Sequence, residues 1–337
     1  MASSSVSAPE LPPAVLIMGP TAAGKTAAAF ALFDELPVHL ISVDSTQVYR
    51  GMDIGSAKPD GETLRRYPHD LIDVRDPEST YSAAMFVADA EIAMQQAAAA
   101  GRLPVLVGGT GLYFRALLFG LDPLPPADPA LRADIARQAA RRGWTALHQE
   151  LARRDPATAA RIRPADRQRI ARALEVLERT GRGLSDHHRA PRQPRFPTLR
   201  VVLTPARRSV LHERIARRVD AMLVAGLVDE VDRLRRRPGF QRDHAAMKSV
   251  GYRHVLESME RSETPRELRD RIVAATRQLA KRQLTGLRKF SRTLWYDSSG
   301  ACAVSQVVRR VAEWRWPDGS RGSWGRPPGR ARSFRVP

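Results

Sequence analysis

The sequence predicts an α/β fold of the P-loop NTPase kind, a parallel sheet flanked by helices, with an all-helical insertion domain. Three observations predict it. Gly19-Pro20-Thr21-Ala22-Ala23-Gly24-Lys25-Thr26 fits G-x-x-x-x-G-K-[ST], a loop whose backbone amides cradle phosphates. Short apolar runs alternate with helical stretches, the pattern of a sheet built by βα units. From 130 to 180 the chain turns very basic, reads as helix after helix, and holds no strand candidate.

Taken in order, residues 14–18 are apolar throughout and long enough for a buried parallel strand. Residues 27–36, rich in Ala and Leu and free of Gly and Pro, read as a helix. Strand, glycine-rich turn and helix N-terminus together form an anion site, because amides converge there and the helix dipole favours negative charge. Lys25 is placed to reach the phosphates and the Thr26 hydroxyl to ligate Mg²⁺.

Residues 38–43 predict a second strand that delivers Asp44 at its carboxyl end, where ligands of open α/β sheets sit. Residues 47–59 read as a loop, 69–74 as a short strand, and 82–100 as a long helix ended by Gly101. A strand over 103–107 then runs into Gly108-Gly109-Thr110-Gly111, with no Asp at its end. A P-loop ATPase would place its Walker-B Asp there, so ordinary ATP hydrolysis is disfavoured. Helices are expected near 129–142, 144–154, 156–162 and 166–180, with Asp166 as an N-cap. Strand character returns at 199–203, helices at 209–225 and 227–236, a helix opening at Ser249, and a long one to about Arg288 behind Thr264-Pro265. A last strand at 293–297 and a helix at 302–315 follow. The expected domains are a flexible N-terminus (1–13), a core domain in two parts (14–121 and 198–315), the helical insertion (122–197), and a disordered basic tail (316–337).

Of 55 basic residues only Lys25, Lys58, Lys248, Lys281 and Lys289 are lysine, and the net charge of +19 suits a polyanionic partner or reflects an arginine-rich proteome. A single cysteine, Cys302, excludes a disulfide framework, and the eight histidines show no metal-ligand spacing. No apolar run is long enough to span a membrane and the N-terminus is not a signal peptide, so a cytoplasmic protein is expected.

Several segments together resemble the bacterial tRNA dimethylallyltransferase (tRNA isopentenyltransferase) family: 19–26, 41–59, 107–113, 166–169, 248–253 and 276–285. The resemblance implies transfer of a dimethylallyl group from dimethylallyl diphosphate to the exocyclic N6 amine of the adenosine just 3′ of the tRNA anticodon. It implies Mg²⁺ as cofactor, the tRNA anticodon stem-loop as partner, and a monomer with no membrane partner. By that resemblance Asp44 is the general base, and Lys25, Thr110 and Arg253 stabilise the departing diphosphate on the 19–26 loop. Asp44, Ser45, Thr46, Gln47, Thr110, Arg132, Gln168, Arg169, Lys248, Gly251, Tyr252, Arg253, Lys281, Arg282, Gln283 and Arg288 match tRNA-contacting positions. The sequence departs from the family pattern at Ala23, where Ser is usual, and at Gly286, where Trp is usual. A P-loop kinase of a small metabolite is the alternative. A non-catalytic RNA-binding protein is a third reading, and it leaves the P-loop unexplained.

Overall fold

The computed structural model describes residues 11–187 and 193–314. Expectations for residues 1–10, for 188–192 of the linker and for the tail from 315 onward lie outside the described residues.

Two compact units make up the chain. The first comprises residues up to Leu118 and from Arg195 onward, and holds a six-stranded sheet in the order β3-β2-β4-β1-β5-β6. The strands are β1 (Ala14–Met18), β2 (Val38–Val43), β3 (His69–Asp70), β4 (Leu103–Gly108), β5 (Thr198–Thr204) and β6 (Thr293–Asp297), and every pairing is parallel. A central parallel strand is buried on both faces, which is why β1 is apolar without alternation and wholly buried. Alternate residues nevertheless serve different faces. Val15, Ile17, Val105, Val107, Val201 and Leu203 join Ala28, Leu32, Val307 and Val311 in one core, so helices Lys25–Glu35 and Ala303–Ala312 cover that face. Helix Ala83–Ala99 packs on β2 and β4, with Ser82 accepting the Met85 amide as its cap.

The connection after β1 leads toward β2 and the one after β4 leads toward β5, although β1 and β4 are neighbours. Ligands of open sheets bind outside the carboxyl ends of two such strands. The turn after β1 is the 19–26 loop, and the turn after β4 carries Gly109 and Thr110.

The second unit, Phe119–Pro194, is helical. The sequence put the corresponding breaks at 122 and 197. Its core gathers Ile135, Ala139, Leu147, Leu151, Ile170 and Leu174 from helices Pro129–Arg142, Trp144–Arg154 and Arg167–Thr180. Asp128, Asp155 and Asp166 each accept an amide from the first turn of the helix they precede. Asp155 is buried and also accepts from the Ser185 amide (3.1 Å) and hydroxyl (2.8 Å). Burial alone would push its carboxyl up. The hydrogen bonds from Thr158 and Ser185 outweigh that and hold it down at about 2.

Two expectations need correction. The strand foreseen over 69–74 is only His69–Asp70, because Leu71 and Asp73 turn to left-handed backbone. The helix expected to open at Ser249 begins at Tyr252, since the Ser249 hydroxyl folds back onto the Ala246 carbonyl (2.6 Å) and holds a turn. Helices Gly61–Arg66 and Gly111–Phe119 were not foreseen.

Candidate active site

The site forms at the carboxyl edge of the sheet, within the first unit. In the 19–26 loop Ala22 (φ 61°) and Gly24 (φ 86°) take left-handed backbone, and the helix starts at Lys25. Left-handed residues at a helix start turn successive amides inward, which makes an anion nest. Ala22 holds a conformation uncommon for a residue with a Cβ, and such backbone concentrates at functional sites. Across the cavity, a Cβ on Gly108 would lie 2.0 Å from the Val43 carbonyl oxygen, so only glycine lets β4 close on the end of β2.

One cavity is lined by Thr21, Lys25 and Thr26 from this loop, by Asp44 and Gln47 after β2, by Gly109 after β4, and by Arg218 and Gln283 from distant helices. Lys25 donates to the Pro20 carbonyl (2.8 Å). Burial and the Arg218 guanidinium lower its ammonium from 10.5 to about 8, while Asp44 pulls the other way. Burial likewise lowers Arg218, and Asp44 again opposes it. Two desolvated cations thus share the cavity with one carboxylate and a nest of amides. That excess positive potential is what a diphosphate would neutralise.

Asp44 Oδ1 accepts from the Thr46 amide (2.9 Å) and hydroxyl (2.6 Å). These bonds fix the carboxylate's orientation while the cavity keeps it half-buried. The Ser45 amide donates to the Thr110 hydroxyl (3.1 Å), which ties the β2 and β4 turns together. A second polar chain runs from the Ser42 hydroxyl to Gln47 Oε1 (2.9 Å), and from Gln47 Nε2 to the Ala57 carbonyl (3.2 Å).

The remaining site expectations separate by position. Gln283 is a strut: its Oε1 accepts the Thr21 amide (3.0 Å) and its Nε2 donates to the Gly109 carbonyl (3.1 Å). Arg253 is absent from the cavity lining, half-exposed and 3.8 Å from Glu257. Arg218 stands in the cavity, where the resemblance had placed Arg253. Tyr252 is fully buried, with its hydroxyl on Glu230 (2.7 Å), and Gly251 is buried beside it. Neither is exposed here, unlike the contact positions the resemblance implied. Lys248, Lys281, Arg282 and Arg288 are exposed on the first unit, and Gln168 and Arg169 are exposed on the second. Arg132 gives two N–H groups to the buried Glu175 (3.0 Å each), a tether within the helical unit.

His69 also lines the cavity and was not singled out from the sequence. Its Nδ1 meets the Tyr67 carbonyl at 2.7 Å, and burial lowers its pKa, so the neutral ring donates there. Arg218 was missed because it is one of 50 arginines. Its signal was placement: Arg214 and Arg218, four residues apart, flank the stripe Leu211, Ile215, Val219 that helix Arg208–Val224 buries.

Among the described residues no cluster of three His, Cys, Asp or Glu side chains could hold a metal by itself. Mg²⁺ does not require one. It keeps several waters and takes few protein oxygens beside phosphate, and the Thr26 hydroxyl on this cavity wall is such an oxygen.

A parallel sheet with its ligand cavity at a switch point, a P-loop, and converging cations define a P-loop protein that handles a phosphorylated substrate. Comparison with known proteins narrows this class. A model of the family described as IPP transferase matches residues 47–290, and one described as isopentenyl transferase matches 12–76. The chain belongs to the IPP transferase family and is a transferase of that kind. It is 53% identical to the tRNA dimethylallyltransferase of Dechloromonas aromatica, over 90% of this chain and 97% of the relative. It is 55% identical to that of Thiobacillus denitrificans, over 90% and 96%. Among solved structures, the full-length tRNA isopentenylpyrophosphate transferase of Bacillus halodurans superposes with TM-score 0.65 at 35% identity, over 89% of this chain and 95% of that one. A eukaryotic dimethylallyltransferase acting on tRNA, 24% identical with TM-score 0.71, shares the fold. These matches support the transferase reading and not the kinase.

Proposed function

We propose that this protein transfers the dimethylallyl group of dimethylallyl diphosphate to the N6 amine of the adenosine just 3′ of a tRNA anticodon. The observation that carries the proposal is one cavity holding the P-loop, Lys25, Arg218 and Asp44 together, in a chain of this family. The new bond joins N6 to the allylic C1, the C1–O bond to diphosphate breaks, and one N6 proton must leave. The diphosphate carries away the electron pair, so the P-loop amides, Lys25 and Arg218 face the charge that grows in the transition state. Asp44 accepts the proton, in an orientation set by Thr46. Thr26 would hold Mg²⁺, which when bound would neutralise leaving-group charge.

The adenine has to leave its stack to enter a cavity of this kind. Lys281, Arg282 and Arg288 on the first unit, and Gln168 and Arg169 on the second, are exposed donors suited to phosphate contacts. A monomer in the cytoplasm fits this reading, and no helix among the described residues is long and apolar enough to cross a membrane. The test incubates the protein with dimethylallyl diphosphate, Mg²⁺ and tRNA, then digests the tRNA for nucleoside mass spectrometry. The expected result is N6-dimethylallyladenosine with one diphosphate released per transfer. Transfer of an ATP phosphate to a small metabolite, with no prenylated nucleoside, would overturn it.

A further inference from the structure

Glu230 lies outside the cavity, yet the residue is only 2% exposed, and among the described residues its carboxylate has no cation as a bonding partner. Oε2 accepts from the amides of Asp53 (3.0 Å) and Ile54 (2.8 Å). Oε1 accepts from the Gly55 amide (3.1 Å) and the Tyr252 hydroxyl (2.7 Å). Consecutive amides turned onto one carboxylate are an anion nest filled from within the protein. The fit is tight, because a Cβ on Gly55 would lie 2.5 Å from the Tyr252 ring. The next two residues of the same loop reach the cavity. Ser56 and Ala57 line it, Ala57 O receives Gln47 Nε2 (3.2 Å), and Ser56 O faces Arg218 (3.5 Å). From the other side the buried Lys58 ammonium donates to Tyr49 O (2.8 Å) and to Asp53 and Asp73 (2.6 Å each).

We propose that Glu230, held by Tyr252, is a positioning residue for the transfer site: it fixes the 53–57 loop whose far side orients Gln47 and Arg218. This rests on the proposed function. An ordinary core carboxylate would contribute stability alone, whereas Glu230 holds Gly55, the neighbour of Ser56 on the cavity wall, and its removal would change chemistry in protein that stays folded.

The test is Glu230→Gln, which keeps shape but turns one acceptor into a donor aimed at donors. Measured well below the melting temperature, kcat for prenyl transfer should fall at least about tenfold while KM for tRNA stays within about threefold. In the Gln47→Ala background the same change should cost less than it does alone, because both act through Ala57. Unchanged kcat in folded Glu230→Gln protein, or effects that multiply in full, would overturn the proposal. Should Glu230→Gln fail to fold, Tyr252→Phe decides: a kcat loss of about twofold to fivefold supports it, and wild-type kcat overturns it. Calorimetry with inorganic diphosphate separates this from the functional reading. A wild type that binds diphosphate but transfers no prenyl group overturns the proposed function. Glu230 is then judged by that affinity: a loss of at least about threefold in Glu230→Gln supports it, and no change overturns it.

Discussion

The side chain of Gln283 accepts a hydrogen bond from the backbone amide of Thr21 at 3.0 Å, so a helix far along the chain holds the phosphate loop in place. The same side chain donates to Gly109 O after β4, and one residue spans the two turns that face the ligand. Gln283→Ala should therefore raise KM for dimethylallyl diphosphate about tenfold and move the Kd for tRNA much less. Steady-state kinetics in both substrates checks this. A tRNA defect larger than the diphosphate defect would make Gln283 an RNA contact instead.

Arg218 and Arg253 give opposite expectations. Arg218 lines the cavity beside Lys25, while Arg253 stands half-exposed near Glu257. Arg218→Gln should lower kcat/KM for the prenyl donor by roughly 10²-fold or more, the scale for losing one charged donor to a leaving group. Arg253→Gln should lower it by less than about tenfold. Equal losses would restore the role expected of Arg253.

The ammonium of Lys25 titrates near 8 in the free protein, below its ordinary 10.5. Between those values the unfolded chain holds the proton and the folded one does not, so this group adds stability as pH rises across that window and opposes folding most below it. Diphosphate needs the charged form. Binding above pH 8 should take up a proton, and affinity should fall by up to about tenfold per pH unit there. Calorimetry in two buffers of different ionisation enthalpy reads the uptake directly, and Lys25→Met should abolish it.

In the helical unit Asp155 holds its proton only below about 2. A carboxylate depressed that far contributes about 2 kcal/mol at neutral pH, a contribution present above its ordinary 3.8 and lost as pH falls through the folded value. Urea unfolding of Asp155→Asn should show that deficit at neutral pH and lose most of it near pH 2. A deficit independent of pH would assign the effect to packing.

Much of the sheet was legible in the sequence because its signals are local. β2 and β6 fall on their expected spans, and the phosphate loop is contiguous. The helix caps at Asp166 and Thr264 were legible for the same reason. Asp44 could be placed because a strand end in a parallel sheet has a known destination. The rest of the site was hidden by distance along the chain. Arg218 and Gln283 reach the cavity from helices whose patterns resemble any solvated amphipathic helix. Glu230, in a stretch rich in charge, gave no sign of being buried, since three of its partners are backbone amides 175–177 residues away. The fall of His69 into the cavity depends on where a two-residue edge strand stops, which periodicity cannot resolve.

The central claim is that Asp44 takes the N6 proton beside a diphosphate held by the P-loop. Single-turnover prenyl transfer by Asp44→Asn, at saturating tRNA and donor and at two Mg²⁺ concentrations, tests it most directly. Asn keeps the size and the oxygen that Thr46 meets but cannot accept a proton. The account predicts a rate lower by roughly 10²–10⁴-fold, with diphosphate binding intact and no rescue by Mg²⁺. A rate near wild type would contradict proton transfer to Asp44, and recovery at high Mg²⁺ would make it a metal ligand instead.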